Sequence, residues 1–280
     1  MKEWNIVADS SCDLKQMETQ EEKIEFSTVP FVMQVGQQEF VDHEALDTAE
    51  LIDAIANCKE AAKSACPSPE TWLAHFRRPG PAFALTISSN LSGSYQSACI
   101  AKDMILEEEP DKEIAILDSK STGPELVLMI ARLAELIREN IPFEKIVEDV
   151  QALADHTHVA FALCSFDNLV KNGRVSRLAG FVAGRLGLWG VGIASEEGRI
   201  VVKTKVRGAQ RAIGAILDDM KERAFTSGHV VISHCFNEEM ALKLKEKILT
   251  TWDKAQVRII PTRGLDSFYA EKGGLIIAYS

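Results

Sequence analysis

Short apolar runs of strand length alternate along the chain with longer segments whose apolar residues recur at helical spacing. In the first half, Ile6–Ala8, Phe83–Ile87 and Ile114–Leu117 are such runs, and helical patterns lie near Leu46–Ala56 and Tyr95–Leu106. Strands that alternate with helices are typical of a parallel sheet covered by helices. We therefore predict an α/β fold whose N-terminal domain contains a mainly parallel sheet.

Two glycines interrupt this rhythm and predict β-hairpins. Gly36 divides two alternating runs in "FSTVPFVMQVGQQEFVD", which indicates a hairpin inserted near the sheet edge. The pair Glu197-Gly198 separates "GVGIAS" from "RIVVKTKV" in the same way. Both segments are therefore expected to fold back on themselves as antiparallel strands.

The second half of the chain repeats the alternation with different segments. Its predicted strands are Val159–Cys164, His229–His234, Val257–Ile260 and Leu275–Ala278. A chain of 280 residues is long for one hydrophobic core and comfortable for two. We predict two α/β domains, residues 1–155 and residues 156–280.

The charge of the chain argues against several classes of partner. It carries 31 Lys and Arg residues against 41 Asp and Glu residues, a formal net charge of −10. Nucleic acids and anionic membrane surfaces attract basic proteins, so neither is expected as a partner. The start of the sequence has no apolar leader, and no run of eighteen uncharged apolar residues occurs. We expect a cytoplasmic protein without an integral membrane segment.

The residues of metal and redox chemistry form no recognisable motif. The six cysteines are dispersed and make no C-x-x-C pair, and His156 and His158 lack a third ligand at suitable spacing. Cys12 and Cys66 lie in polar loops, so these two thiols alone are candidates for reactivity. No metal site and no cofactor are predicted.

Serine-rich loops follow several of the predicted strands. They read "DSSCD" (residues 9–13), "SSNLSGS" (88–94) and "DSKSTG" (118–123), and a fourth, "KSACPSPETW", contains Ser64 between a lysine and two prolines. Ligands of open α/β sheets bind at such strand ends, although serine and aspartate also cap helices. Ser92 with Gly93 at a helix start could offer a hydroxyl and backbone N–H groups to a carboxylate or phosphate.

Six motifs occur in an order that resembles the DegV family of bacterial fatty-acid-binding proteins. They are "IVADSSCDL", "SACPSPETW", "ISSNLSGSYQSA", "ILDSKS", "LVKNGRVS" and "KVRGAQRA". The resemblance implies two α/β domains of the DegV type with a fatty-acid tunnel between them and no cofactor. It also implies a palmitate- or oleate-like ligand that is presented to a fatty-acid kinase, which forms an acyl phosphate for phospholipid synthesis. The chain itself would then have no catalytic residue.

The resemblance implies a set of head-group residues. The family's two head-group hydroxyls fall on Ser64 and on Ser92, beside Gly93, and Arg174 in "KNGRVS" matches an arginine near the head group. A salt bridge is an equally weighted role for Arg174. Many relatives carry a histidine near the position of Tyr269, and a phenol donates a hydrogen bond there without an imidazole's charge. Coupling to a kinase is therefore less strongly implied than lipid binding.

The segment "RLAGFVAGRLGLW" predicts where the acyl tail lies. Its large apolar residues Leu178, Phe181, Val182 and Leu186 are interleaved with glycine and alanine, which leave room for another group to pack. The alternative is that this helix merely packs closely against a neighbouring element.

Another function class remains open on the residues alone. A small-molecule hydrolase or a phosphotransferase could use the same serine-rich cleft, but it would need a base beside Ser92 or Cys66, or a nucleotide site. Neither a G-x-S-x-G motif nor a Walker loop occurs. A structural or regulatory interaction module is the third class, and it predicts no internal cavity.

Overall fold

The computed structural model describes residues 4–17, 23–58, 60–175 and 187–280. These residues form thirteen strands, numbered in chain order. They are β1 (Trp4–Asp9), β2 (Ile24–Val29), β3 (Val32–Val35), β4 (Gln38–Val41), β5 (Lys63–Ala65), β6 (Ala82–Thr86), β7 (Ile114–Asp118), β8 (His158–Leu163), β9 (Leu188–Ala194), β10 (Ile200–Arg207), β11 (Gly228–His234), β12 (Ala255–Pro261) and β13 (Leu275–Tyr279).

Nine α-helices connect the strands within the same described ranges, and a short 3-10 turn, Ser10–Cys12, follows β1. The helices are α1 (Thr48–Asn57), α2 (Pro69–Phe76), α3 (Ser94–Glu108), α4 (Pro124–Arg138), α5 (Phe143–His156), α6 (Asp167–Lys171), α7 (Ala209–Glu222), α8 (Glu238–Thr251) and α9 (Gly264–Ala270). None of the helices in these ranges is both long enough and apolar enough to cross a membrane.

The N-terminal sheet is parallel throughout and confirms the predicted α/β fold. Its order is β2-β1-β6-β7, and β1 pairs with both β2 and β6. Of the central strands, β6 is buried along its whole length and β1 at every residue but the first, as expected when helices cover both faces. Helices α2 and α3 pack on one face through Trp72, Phe76 and Ile105, while α4 and α5 contribute to the core on the other.

The first predicted hairpin is only partly right. β3 and β4 form an antiparallel hairpin that turns at Gly36, where φ is +58°. However, the beginning of the segment, "FSTV", belongs to β2 of the parallel sheet, and β3 also pairs with the unpredicted strand β5. Alternation along a strand shows which face is buried, and it does not identify the neighbouring strand.

The C-terminal sheet is mixed, with the order β10-β9-β8-β13-β11-β12. Only the pair β11–β12 is parallel, and the predicted hairpin at Glu197-Gly198 joins β9 to β10. Helices α7 and α8 cover one face, and α4 packs against β11 and β13 from the other side. One apolar core therefore runs from the N-terminal sheet across α4 to the C-terminal sheet. The domain boundary at residues 155 and 156 stays a prediction, and it falls within the last turn of α5.

Candidate functional site

A cavity lies between the two sheets, with about 790 Å³ of empty space that includes a part open to solvent. Residues of both halves line it. Its apolar wall consists of Phe31, Ile87, Leu91, Val159, Phe161, Leu163, Leu169, Ile193, Ala194, Ile200, Leu265, Ala270 and Ile276. Such a largely apolar space suits a hydrocarbon chain, because burying its methylenes removes them from water.

Four of the residues that the sequence predicts for a head group line this cavity. Ser64, Ser92, Arg174 and Tyr269 all contribute to the wall. Ser64 is the middle residue of β5, and its Oγ lies 2.7 Å from the hydroxyl oxygen of Tyr269 on α9. The hydrogen bond joins residues 205 positions apart and makes one pair of hydroxyls at the cavity wall.

The start of α3 lies against the loop that follows β5. Gly93 is the N-cap residue of α3, and a Cβ added to it would lie 3.3 Å from the Sγ atom of Cys66. Ser92 precedes it, and the Ser92 Oγ accepts a hydrogen bond from the backbone N–H of Ser94 at 3.3 Å. These contacts bring the loops of Ser64 and Ser92 together at the cavity wall.

Arg174 binds backbone carbonyls. Its Nε donates to the carbonyl oxygen of Leu91 at 3.1 Å, and its Nη1 donates to that of Asn172. Because Leu91 precedes Ser92, the guanidinium of Arg174 fixes the loop that carries the Ser92 hydroxyl. Arg174, from the C-terminal half of the chain, thus holds a cavity-lining loop of the N-terminal half.

Asp9, which sequence reasoning assigned only as a candidate cap, is fully buried and connects segments that lead to the cavity. Its buried carboxylate accepts hydrogen bonds from the Ser11 hydroxyl at 2.5 Å, the Ser94 hydroxyl at 2.7 Å and the Ile87 N–H at 2.9 Å. Burial raises the pKa of Asp9 to about 6, although these hydrogen bonds oppose the change. The carboxylate therefore ties the end of β1 to the end of β6 and to the start of α3.

The remaining polar residues of the "SSNLSGS" loop hold the second hairpin. The Ser88 hydroxyl donates to the carbonyl oxygen of Gly198 at 2.8 Å, and the Asn90 side-chain amide donates to that of Glu197 at 2.7 Å. Gly198 has a φ of +75°, and a side chain there would meet the Ser88 hydroxyl. The serines thus have separate roles, since Ser88 closes the hairpin over the cavity while Ser92 lines it.

Helix α9, which carries Tyr269, is anchored to the N-terminal half at its first turn. The Asp42 carboxylate accepts hydrogen bonds from the N–H groups of Gly264 at 3.1 Å and Leu265 at 2.9 Å. The Arg263 guanidinium donates to the carbonyl oxygens of Leu14 at 2.6 Å and Asp42 at 2.7 Å. The short helix was missed because "RGLDSFYA" has too few apolar positions to show a helical period.

The four residues predicted to line the acyl tail, Leu178, Phe181, Val182 and Leu186, lie outside the described residues. Among the described residues, strands of the C-terminal sheet contribute part of the apolar wall, including Phe161 of β8, Ile193 of β9 and Ile276 of β13. Sequence analysis predicted these segments only as strands, because a strand pattern does not show which buried face lines a cavity.

The contacts of the serine hydroxyls do not support nucleophilic catalysis. The Ser64 hydroxyl pairs with a phenol and the Ser92 hydroxyl with a backbone amide, so the partners found for them include no imidazole and no carboxylate. Cys12 is fully buried, and burial raises its pKa to about 12, so its predicted reactivity is wrong. Cys66 is exposed. Across the described ranges, no three His, Cys, Asp or Glu side chains are grouped so that they could hold a metal ion.

Known proteins share this architecture over almost the whole chain. The profile described as "Uncharacterised protein, DegV family" matches residues 3–279. A DegV domain-containing protein of Streptococcus pneumoniae is 41% identical over 276 residues, which is 99% of this chain and 98% of that protein.

Two crystal structures of similar proteins contain fatty acids. The Fatty Acid Kinase (Fak) B3 protein of Streptococcus pneumoniae, loaded with linoleic acid, is 40% identical with a TM-score of 0.96, and the match covers 99% of both chains. A DegV family protein of Eubacterium eligens, loaded with heptadecanoic acid, is 32% identical with a TM-score of 0.94, again over 99% of both chains. With its order of motifs, its two α/β units and this identity to known members over nearly its full length, the chain belongs to the DegV family.

Proposed function

We propose that this protein binds one long-chain fatty acid and presents its carboxylate to a fatty-acid kinase. The observation that carries the proposal is the apolar cavity between the sheets, whose wall brings the hydroxyls of Ser64, Ser92 and Tyr269 to one end. Similar proteins that contain linoleic acid and heptadecanoic acid support the choice of ligand.

The acyl tail supplies most of the binding free energy in this proposal. A buried methylene contributes about 0.8 kcal/mol, so a dozen of them contribute on the order of 10 kcal/mol before the costs of ordering and association. Phe161, Ile193 and Ile276 are the strand residues that face the tail. The polar end then needs to orient the acid rather than to provide affinity.

The carboxylate is held by neutral donors. Ser64 and Tyr269 already share a hydrogen bond, and each has a hydroxyl proton that can turn toward a carboxylate oxygen. Ser92 supplies the third hydroxyl from the neighbouring loop, which Arg174 fixes through the Leu91 carbonyl. Gly93 allows the start of α3 to approach the loop of Ser64 without a side chain in the way.

The protein acts as a carrier and the kinase performs the chemistry. A carboxylate is already an anionic nucleophile, so phosphoryl transfer to it needs no general base from the protein that holds it. The hydrogen-bond partners of Ser64 and Ser92, a phenol and an amide, agree with this division of roles. We place the carrier in the cytoplasm, where the kinase has access to ATP.

Native mass spectrometry of the purified protein tests the proposal. We expect one bound acyl chain, or uptake of one linoleate, oleate or palmitate after the protein has been stripped of lipid. Ser64→Ala combined with Ser92→Ala is expected to weaken binding, since each neutral hydrogen bond contributes roughly 0.5 to 1.5 kcal/mol. Ser89→Ala, at an exposed position of the same loop, is the matched control and is expected to bind like the wild type. A protein that copurifies with no acyl chain and takes up none of the three acids would refute the assignment.

A further inference from the structure

A cluster of buried charges joins the N-terminal half of the chain to helix α9. It consists of Asp13 and Asp42 from loops of the N-terminal half and of Arg263 and Asp266 at the start of α9, and each is at most 5% exposed. Three carboxyl groups therefore share a dry site with one guanidinium. An uncompensated charge in such a site costs free energy. With three carboxyl groups and one guanidinium, the protein is therefore expected to keep a proton on some of the carboxyl groups.

Asp42 is the carboxyl that Arg263 neutralises. The Arg263 Nε lies 3.5 Å from the Asp42 Oδ1, and the two N–H groups at the start of α9 donate to the same carboxylate. Asp13 accepts the backbone N–H of Arg263, at 2.7 Å from its Oδ1, and the uncharged hydroxyl of Ser233 also faces it. Asp266 receives the hydroxyl of Thr122, at 2.7 Å from its Oδ1. Among the residues that the structure describes, Asp13 and Asp266 are thus left without a cation of their own.

The second oxygens of these two carboxyls face the same small space. A Cβ added to Gly123 would lie 2.7 Å from the Asp13 Oδ2 and would also collide with the Asp266 Oδ2. Both Oδ2 atoms are buried, and in the described part of the chain neither has a hydrogen-bond donor. A carboxylate oxygen can only accept, so two of them face to face require a proton between them.

We propose that Asp13 and Asp266 share one proton in the folded protein, and that this pair positions α9 and thereby holds Tyr269 at the head-group end of the cavity. With one proton, the pair has one negative charge and a hydrogen bond that connects the two halves of the chain. Without the proton, two buried carboxylates repel each other across the joint. The effect on the acid rests on the proposed function, whereas the shared proton does not.

The surroundings of the pair agree with a retained proton. Burial raises the pKa of Asp13 to about 7 and that of Asp266 well above its ordinary value. The other titratable and charged groups that face the pair are Asp42, whose pKa burial also raises although Arg263 opposes the change, Arg263 itself, and the buried thiols Cys12 and Cys235. Burial raises the pKa of these thiols to about 12 and about 11, so both are uncharged at neutral pH. The Ser233 hydroxyl of β11 also faces Asp13 and does not titrate.

The sign of the pH dependence follows from the raised pKa. An unfolded aspartate has a pKa near 3.9, so between about pH 4 and pH 7 the folded pair retains a proton that the unfolded chain has lost. The stability that this proton contributes is fully present below that window and is lost as the pH rises through it. The unfolding equilibrium constant is then expected to rise by up to tenfold per pH unit relative to a variant that needs no proton.

Asp266→Asn is that variant, because its amide N–H can donate to the Asp13 Oδ2 at any pH. Asp13→Asn is the second variant and places the amide on the other side of the same contact. Asp253→Asn removes a charge of the same sign from an exposed position and is the matched control. The first measurement is urea unfolding of the lipid-free protein from pH 5 to pH 8. As the pH rises, we expect the unfolding equilibrium constant of the wild type to rise relative to that of either amide variant by up to tenfold per pH unit. The unfolding profile of the control is expected to run parallel to that of the wild type.

The second measurement is the dissociation rate of bound oleate over the same pH range. We expect the rate to rise above pH 7 in the wild type and in the control, and to stay level in Asp266→Asn, because only the titrating pair loosens α9. Parallel unfolding profiles for the wild type and both amide variants would overturn the shared proton. A loss of wild-type stability on adding EDTA would also overturn it, because that result would place a cation between the two carboxyl groups. A protein that binds no oleate but shows the divergent unfolding profiles would refute the proposed function and leave the shared proton standing.

Discussion

Removal of the Tyr269 hydroxyl is expected to weaken fatty-acid binding by about fivefold. In the proposed complex, Tyr269→Phe deletes one neutral donor to the carboxylate and leaves the ring in its contact with Phe268. A neutral hydrogen bond contributes roughly 0.5 to 1.5 kcal/mol net, and 1.4 kcal/mol is tenfold in affinity, so the loss is expected to be about two- to tenfold. A hydrogen bond from a charged donor would cost about 1.5 to 3 kcal/mol instead.

The bond between Ser64 and Tyr269 makes a double-mutant cycle informative. The two hydroxyls are 2.7 Å apart, so removing either one also changes the orientation of the other. We expect Ser64→Ala and Tyr269→Phe to be non-additive by about 1 kcal/mol, with the double variant losing less than the two single losses combined. Isothermal titration with oleate on lipid-free protein measures all four affinities. Strictly additive losses, or a loss above about a hundredfold for Tyr269→Phe, would refute the idea of a paired set of neutral donors.

Two further outcomes follow from the surroundings of the cavity. Because burial raises the pKa of Asp9 to about 6, the stability from its proton is present below pH 4 and is lost as the pH rises toward 6. Wild type is therefore expected to lose up to about 3 kcal/mol relative to Asp9→Asn between pH 4 and pH 7 in chemical unfolding, and a constant difference would contradict this assignment. Iodoacetamide is expected to modify the exposed thiol of Cys66 in the native protein and to spare the buried thiol of Cys12, as peptide mass mapping can show. Labelling of Cys12 at the rate of Cys66 would contradict its burial.

Sequence analysis predicted those strands and helices that show a regular pattern of apolar residues. Strand runs such as Phe83–Ile87 and helical segments such as Tyr95–Leu106 are long enough, or buried enough, to show a period, and the structure has β6 and α3 there. The strand β5 has three residues, and α9 has seven, so each is too short for its pattern to stand out from the surrounding sequence. Both elements exist because of tertiary contacts, namely the pairing of β5 with β3 and the capping of α9 by Asp42.

Sequence analysis of the site was likewise limited by contacts that only the folded chain makes. Ser64, Ser92, Arg174 and Tyr269 were named from motif positions, and the structure brings all four to one cavity. The direct bond between Ser64 and Tyr269 was not predicted, because it depends on how β5 and α9 meet across 205 positions of the chain. Asp9 was seen as a cap, although its carboxylate organises three segments. A local motif shows which polar groups are present, and only the fold decides which of them face each other.

Neutral hydroxyls suit a protein that has to give up its ligand for a reaction. An arginine paired bidentately with the carboxylate would hold it tightly, but would also withdraw charge from the oxygen that attacks the phosphoryl group. In this protein the guanidinium of Arg174 is engaged by the carbonyls of Leu91 and Asn172, while Ser64 and Tyr269 offer uncharged donors. In the proposed function, the apolar wall can then provide the affinity, and the carboxylate keeps its charge for the phosphoryl transfer. A head-group site built in this way separates holding the acid from activating it.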